Sequence, residues 1–277
     1  YRKDSFNIRL LGRSTITLAS PLQDDLYGIL SEEMITIDGS EDASLTIQKG
    51  AQTCGISAYK LIVKGGSVSA AASGVNSCAI LADSMTVSGG NVTASGDGSH
   101  SCGIDAESSF ELSSGTVMAT ASGEYSRAIR ADSMAVSGGN VTATGDGSHS
   151  YGIDADAFQL SGGNVIASGS QGLYADSTFS VEGGTVDAKG TDGNGIRASG
   201  IHISTGNVTA EANGEDSCGL LANDTLEVSG GTVTATADGK YAWGISAYNV
   251  TIEGGNVTAT TDGESSLGIY SDSLLIS

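Results

Sequence analysis

The chain has 277 residues, of which 32 are Asp or Glu and only 12 are Lys or Arg, for a formal net charge of −20. So acidic a chain lacks the basic footprint that phosphate binding requires, which excludes nucleic acid and anionic membrane surfaces as partners. No stretch approaches the roughly eighteen consecutive apolar residues of a membrane-spanning helix, so no membrane insertion is expected.

Residues 1–26 depart from everything after them. The stretch NIRLLGRSTITLASPLQDD, from Asn7, alternates Ile16 and Leu18 but has no Gly-Gly corner. It is predicted to be an irregular capping coil, because an open end would expose strand edges and core.

From residue 27 to residue 277 a motif of about 24 residues recurs, of the form G-I-x-A-x-x-φ-x-V-x-G-G-N-V-T-A-x, with φ apolar. CAILADSMTVSGGNVTASGDGSHS, from Cys78, and RAIRADSMAVSGGNVTATGDGSHS, from Arg127, are near copies of one another. A fixed period of this size is the signature of a repeat architecture.

Within the coil from Arg127, apolar residues fall in pairs spaced by two: Ile129 and Ala131, Met134 and Val136, Val141 and Ala143. The coil from Trp243 repeats this with Ile245 and Ala247, Val250 and Ile252, Val257 and Ala259. A spacing of two is that of a strand with one face inward. Each coil is therefore predicted to hold three short strands. Seven coils carry a Gly-Gly pair before the third strand, from Gly65-Gly66 to Gly254-Gly255. Glycine reaches the positive φ that a sharp corner needs. Asn91, Asn140, Asn207 and Asn256, just past the corner, also tolerate such backbone. A longer corner, GDGSHS or TDGESS, closes the coil.

No segment shows apolar residues at helical spacing over three turns, and the glycine density opposes helix. The prediction is an all-β parallel β-helix solenoid, right-handed by the preference of parallel crossovers. Its ten to eleven coils, at roughly 4.8 Å per rung, make a rod about 50 Å long. The last residues, LGIYSDSLLIS from Leu267, break off in mid-repeat, so the chain is expected to be part of a longer one.

Stacking turns each position of the coil into a ladder. Cys54, Cys78 and Cys102 are spaced by 24 and share one position, and Cys218 shares it about five rungs away. At roughly 24 Å, Cys218 cannot reach the others, whereas one disulfide could join neighbouring rungs among the three. The plainer expectation is that these thiols fill a half-buried slot that Tyr151, Trp243 and Leu267 fill in other coils. A thiolate metal site needs ligands from several directions, and one column supplies a single direction.

A second ladder is acidic: Asp83, Glu107, Asp132, Asp156 and Asp176 follow the Ala of the first strand on five successive coils. Unit charges at that spacing repel by about 1 kcal/mol in bulk water and more at a protein surface. Calcium, which takes carboxylate and carbonyl oxygens, would relieve that repulsion. The alternative is that Asp is simply a good, solvated corner residue. If calcium binds, it is expected to raise the melting temperature and EDTA to remove the increment.

A third ladder is mixed. Asp105, Arg130 and Asp154 occupy the outward position between Ile and Ala, and Tyr174 and Arg197 continue it. The alternating charges predict a surface salt-bridge column of small energetic weight. Arg130, Tyr174 and Arg197 form a candidate ligand-binding set, since an aromatic ring and guanidinium groups on a flat strand face suit sugar rings.

No catalytic constellation is visible, so the chain is not expected to be an enzyme. A polysaccharide lyase would need a strong base opposite a cation-bound uronate, yet Arg130 and Arg197 lie several rungs apart. His100 and His149 occupy near-identical corners, which argues for a repeated turn. Ice binding is weighed because Thr142/Thr144, Thr234/Thr236 and Thr258/Thr260 form T-x-T pairs, but Ile166, Asp187, Lys189 and Glu211 interrupt the array.

The run YGILSEEMITIDGSEDASLTIQKG followed by CGISAYKLIVKGGSVSA resembles a group of surface proteins from gut and other clostridia. The likeness lies in the G-I-x-A/S-x-D/E…I-x-G-G pattern and covers nearly the whole chain. Those proteins are carbohydrate-binding, calcium-containing β-helices of pectate-lyase-like shape. The resemblance implies an extracellular, cell-surface adhesion or carbohydrate-binding module, with a polysaccharide or cell-surface glycan as partner. It also implies calcium at the acidic ladder, although Tyr59 and Tyr248 take that slot in two coils. The alternative function is a structural spacer or stalk within a larger surface protein.

Overall fold

Strands that each turn one apolar face inward bury those faces against one another across the coil, and stacking the coils pairs each strand edge with its counterpart one coil away. The computed structural model, which describes residues 5–17, 26–48 and 53–277, shows this arrangement throughout. Its strands form two parallel sheets, of 12 and 11 strands, each strand pairing with its counterparts in the adjacent coils. The result is an all-β parallel solenoid of about 10 turns, with no helix among the described residues.

The three inward pairs are present, but the first two lie on one strand. Arg127–Val136 carries Ile129, Ala131, Met134 and Val136, and the third pair sits alone on Asn140–Asp146. The bend between the first two pairs is made inside the strand. Against the preceding coil the register slips between Ala131 and Ser133, where that coil has one residue more. A bulge of this kind turns the chain while the hydrogen-bond ladder continues on either side.

The core consists of uniform columns. Ile56, Ile80, Ile104, Ile129 and Ile153 stack in register, all fully buried. Val92, Val117, Val141, Val165 and Val186 do the same on the other sheet, each beside an alanine column. The bulkiest column holds Leu61, Met85, Phe110, Met134, Phe158 and Phe179. The rings of Phe158 and Phe179 stack with centroids 5.2 Å apart and planes 8° from parallel. In-register repetition puts like on like in the isoleucine, valine and alanine columns, while the bulky column mixes leucine, methionine and phenylalanine.

Only the second glycine of the Gly-Gly corner takes positive φ, from 79° at Gly66 to 90° at Gly163. Gly115 and Gly206 hold that place in coils where Ser114 and Thr205 stand first. The left-handed residue is thus glycine in every one of these corners, whereas the first place accepts a Cβ in the coils of Ser114 and Thr205.

The N-terminal stretch joins the stack. Phe6–Leu10 pairs with residues 35–39 and Arg13–Thr17 with residues 44–48, forming a first rung on both sheets. Leu18 and the rest of that predicted coil up to residue 25 lie outside the described residues.

Candidate functional site

Two outward columns run side by side on the first half of the longer strands. One reads Cys54, Cys78, Cys102, Arg127, Tyr151 and Gln171. The other reads Leu81, Asp105, Arg130, Asp154, Tyr174, Arg197 and Leu221. Stacking at one strand spacing brings consecutive members into contact, so a charged and aromatic strip crosses several rungs.

Arg130 Nη1 donates to Asp105 Oδ2 at 3.2 Å, and Arg127 Nε donates to Asp154 one coil on. The Arg127 guanidinium lies over the Tyr151 ring at 5.8 Å, and Arg197 over the Tyr174 ring at 5.6 Å. The two tyrosine rings are 6.0 Å apart and tilted by 57°. Tyr174 donates its hydroxyl to Asp176 Oδ1 at 2.7 Å. That bond to a carboxylate, aided by burial, pushes the phenol up to about 12.

The mixed ladder is therefore real, but it is not uniformly a surface column. Asp105 is only 6% exposed. Burial pushes its carboxyl above the usual carboxylate range, outweighing the pull of Arg130 in the other direction. The ordering is physical: the Arg130 side chain is 46% exposed, so solvent screens its attraction, while the desolvation of Asp105 is not relieved.

Arg197 differs from its neighbours. Among the described residues it makes no ion pair, and its Nε is buried without a hydrogen-bond partner. In a chain with such an excess of acids, an unmatched guanidinium held on a tyrosine face is unusual.

The acidic ladder lies at the bulges. Glu107, Asp132, Asp156 and Asp176 are exposed and Asp83 is half-buried. The coils carry either one or two residues at the bulge, with Glu107-Ser108 opposite Asp83 and Asp132, and Asp176-Ser177 opposite Asp156, whereas Asp132 and Asp156 face each other one to one. Ser108 Oγ donates to Asp83 Oδ1 at 2.9 Å. Among the described residues no three of these carboxylates bring their oxygens within 4.8 Å of one another. The donors are of the type calcium prefers, but they do not gather as a calcium shell does.

The long corner holds order that the spacing of the repeat did not convey. Ser77, Ser101, Ser126, Ser150 and Ser217 form a buried column immediately before the Cys, Arg and Tyr positions. Several tie the corner to itself: Ser126 Oγ donates to Ala121 O at 3.3 Å and Ser150 Oγ to Gly147 O at 2.7 Å. The residue before each serine takes left-handed backbone, at Asn76, His100, Tyr125, His149 and Asp216. His100, Tyr125 and His149 stack outside it, with centroids 5.2 and 4.9 Å apart. Serine is the constant last letter of GDGSHS and SGEYS, but serine is equally at home in an exposed turn. In a shorter coil the buried polar residue of the corner is Asn194, whose Oδ1 accepts the Cys218 N–H of the next coil at 2.8 Å.

On the third strand the threonine pattern is broken in register. Thr142 lies beside Ile166, Ile166 beside Asp187, and Lys189 donates to Glu211 at 2.9 Å.

Fold and strip together define a β-helix repeat domain with a mixed charged and aromatic outer face. Residues 86–106, 135–155, 226–247 and 250–269 match a family model described as a beta helix repeat. No curated protein and no solved structure gives a significant match to the chain.

Proposed function

We propose that this β-helix is a non-catalytic, extracellular cell-surface module that binds polysaccharide on the strip containing Arg127, Arg130, Tyr151, Tyr174 and Arg197. The observation that carries the reading is the unmatched Arg197 guanidinium lying on the Tyr174 ring. A tyrosine face takes the apolar face of a sugar ring, and a guanidinium beside it donates to hydroxyl or carboxylate oxygens. Because Arg197 makes no ion pair among the described residues, its guanidinium is not already committed to an acid. Flat parallel strands repeat the rung along the rod, which suits an extended polymer more than a compact ligand. The reading does not depend on a bound calcium ion.

The structural-spacer reading rests on the regularity of the rod, which needs no ligand. Affinity electrophoresis against neutral and uronate-containing polysaccharides separates the two. Retardation by at least one polymer is expected, with a fall of roughly tenfold or more in affinity for Arg197→Ala and Tyr174→Ala, the scale of one lost charge-assisted hydrogen bond. Binding that persists unchanged in both variants would place the ligand elsewhere, and no binding to any polymer would favour the spacer.

A further inference from the structure

The thiol ladder, read alone, offers ligands from one side only. The structure adds a second side. Cys78 and Cys102 are directly paired on adjacent rungs. Asp105, three residues beyond Cys102 on the same strand, turns its carboxylate back toward them. The two sulfurs and a carboxylate oxygen of Asp105 all lie within 4.8 Å of one another. Among the described residues no other three His, Cys, Asp or Glu side chains converge in this way.

A second observation points at the same place. Asp105 is buried, its Oδ2 is taken by Arg130, and its Oδ1 is shut off from solvent with no hydrogen-bond partner. An orphaned buried carboxylate oxygen is a standing cost that a cation would remove. Cys102 is 5% exposed, whereas Cys78 is half-buried.

We propose that Cys78, Cys102 and Asp105 form a binding site for a borderline-soft divalent cation, zinc being the physiological candidate. Two thiolates and a carboxylate make a donor set that zinc accepts, with Zn–S near 2.3 Å and Zn–O near 2.0–2.2 Å. Tetrahedral angles at those lengths separate ligand atoms by roughly 3.5–3.8 Å, so the three need close by no more than about 1 Å. Water completes the fourth position. On binding, the two thiols each release a proton to solvent, and no electrons move. Arg130, holding Oδ2, orients the carboxylate from the outer shell.

Cys54 does not belong to the site. Its Sγ donates along its own strand to Ile56 O at 3.2 Å. Cys218 stands alone further along the rod. The site adjoins the strip proposed for polysaccharide, since Arg127 lies in register beside Cys102 and Arg130 holds Asp105, but it does not use Tyr174 or Arg197.

The test is cobalt and zinc titration of the 277-residue chain, reduced and held without oxygen. Co2+ should give a thiolate-to-metal charge-transfer band with the visible bands of a tetrahedral ion, saturating at one ion per chain, and Zn2+ should displace it. Cys78→Ser and Cys102→Ser should abolish the charge-transfer band. Asp105→Asn should weaken affinity by at least the roughly 10–100-fold that loss of an outer-shell partner costs. Cys54→Ser and Cys218→Ser should bind as the parent does, with β-sheet circular dichroism confirming the fold of each variant. The proposal fails if the reduced, folded parent gives no thiolate band, or if Asp105→Asn binds as tightly as the parent. It also fails if the band survives Cys102→Ser but not Cys54→Ser. Isolation with a Cys78–Cys102 disulfide, and no metal uptake after reduction, would identify the pair as a redox staple instead.

Discussion

Phe158→Ala is expected to destabilise the protein by about 3–5 kcal/mol, the usual cost of emptying an aromatic site in a packed core. Phe158 is 1% exposed and lies between Met134 and Phe179 in the bulkiest column. The strands above and below are tied by continuous parallel ladders, so the neighbouring rungs cannot collapse into the void without breaking register. The melting temperature should fall on the order of 10 °C for a chain of this size. Because each coil touches only its neighbours, the loss is felt first locally, and hydrogen exchange should rise most in residues 127–181. Phe158→Leu should recover most of the loss. An alanine variant melting within about 2 °C of the parent would mean that the column repacks freely, contrary to close-packed interiors.

Gly139→Ala is expected to be nearly as damaging, although it adds one methyl group at the surface. Gly139 has φ of 80°, where an L side chain is strained by roughly 1–3 kcal/mol. The methyl carbon would also come within 2.6 Å of Gly115 O, the oxygen that accepts the Asn140 N–H at 3.0 Å. The same close approach of a carbonyl one rung below recurs at Gly163 and Gly184, so the corner is a ladder with no room for a Cβ. Gly138→Ser should be milder, because Gly138 is not left-handed and Ser114 holds the same place in the preceding coil, although a Cβ there would meet Ser113 O at 2.5 Å and that carbonyl must shift. Chemical denaturation of the pair measures the difference directly. Equal losses in both variants would overturn the view that left-handed backbone, not glycine content, makes the corner.

Much of the fold was legible because its signals are local and repeated. Ile129 with Ala131, Met134 with Val136 and Val141 with Ala143 announce an inward face by spacing alone, and all six are buried. The second glycine of the corner announces its φ by being a residue with no Cβ. The merging of the first two strands was not legible, since a bulge at Asp132 and a corner at Asp132 require the same polar residue. The serine column of the long corner was hidden for a related reason. Serine is common in exposed turns, and nothing local says that Ser126 and Ser150 turn inward.

The site shows the same division more sharply. That Cys78 and Cys102 stack, and that Asp105, Arg130, Asp154, Tyr174 and Arg197 form one ladder, follows from periodicity, because equivalent positions must be neighbours in a parallel solenoid. That Asp105 is buried, that its carboxylate meets the two sulfurs, and that Arg197 lacks an acid are decided between columns. Those relations depend on how far each strand bends and which rotamer each neighbour leaves free, and a repeat pattern carries neither. The sequence by itself determined which residues share a column. Only the tertiary structure decided which columns touch, because contact across the strip is set by bulges and burial, not by period.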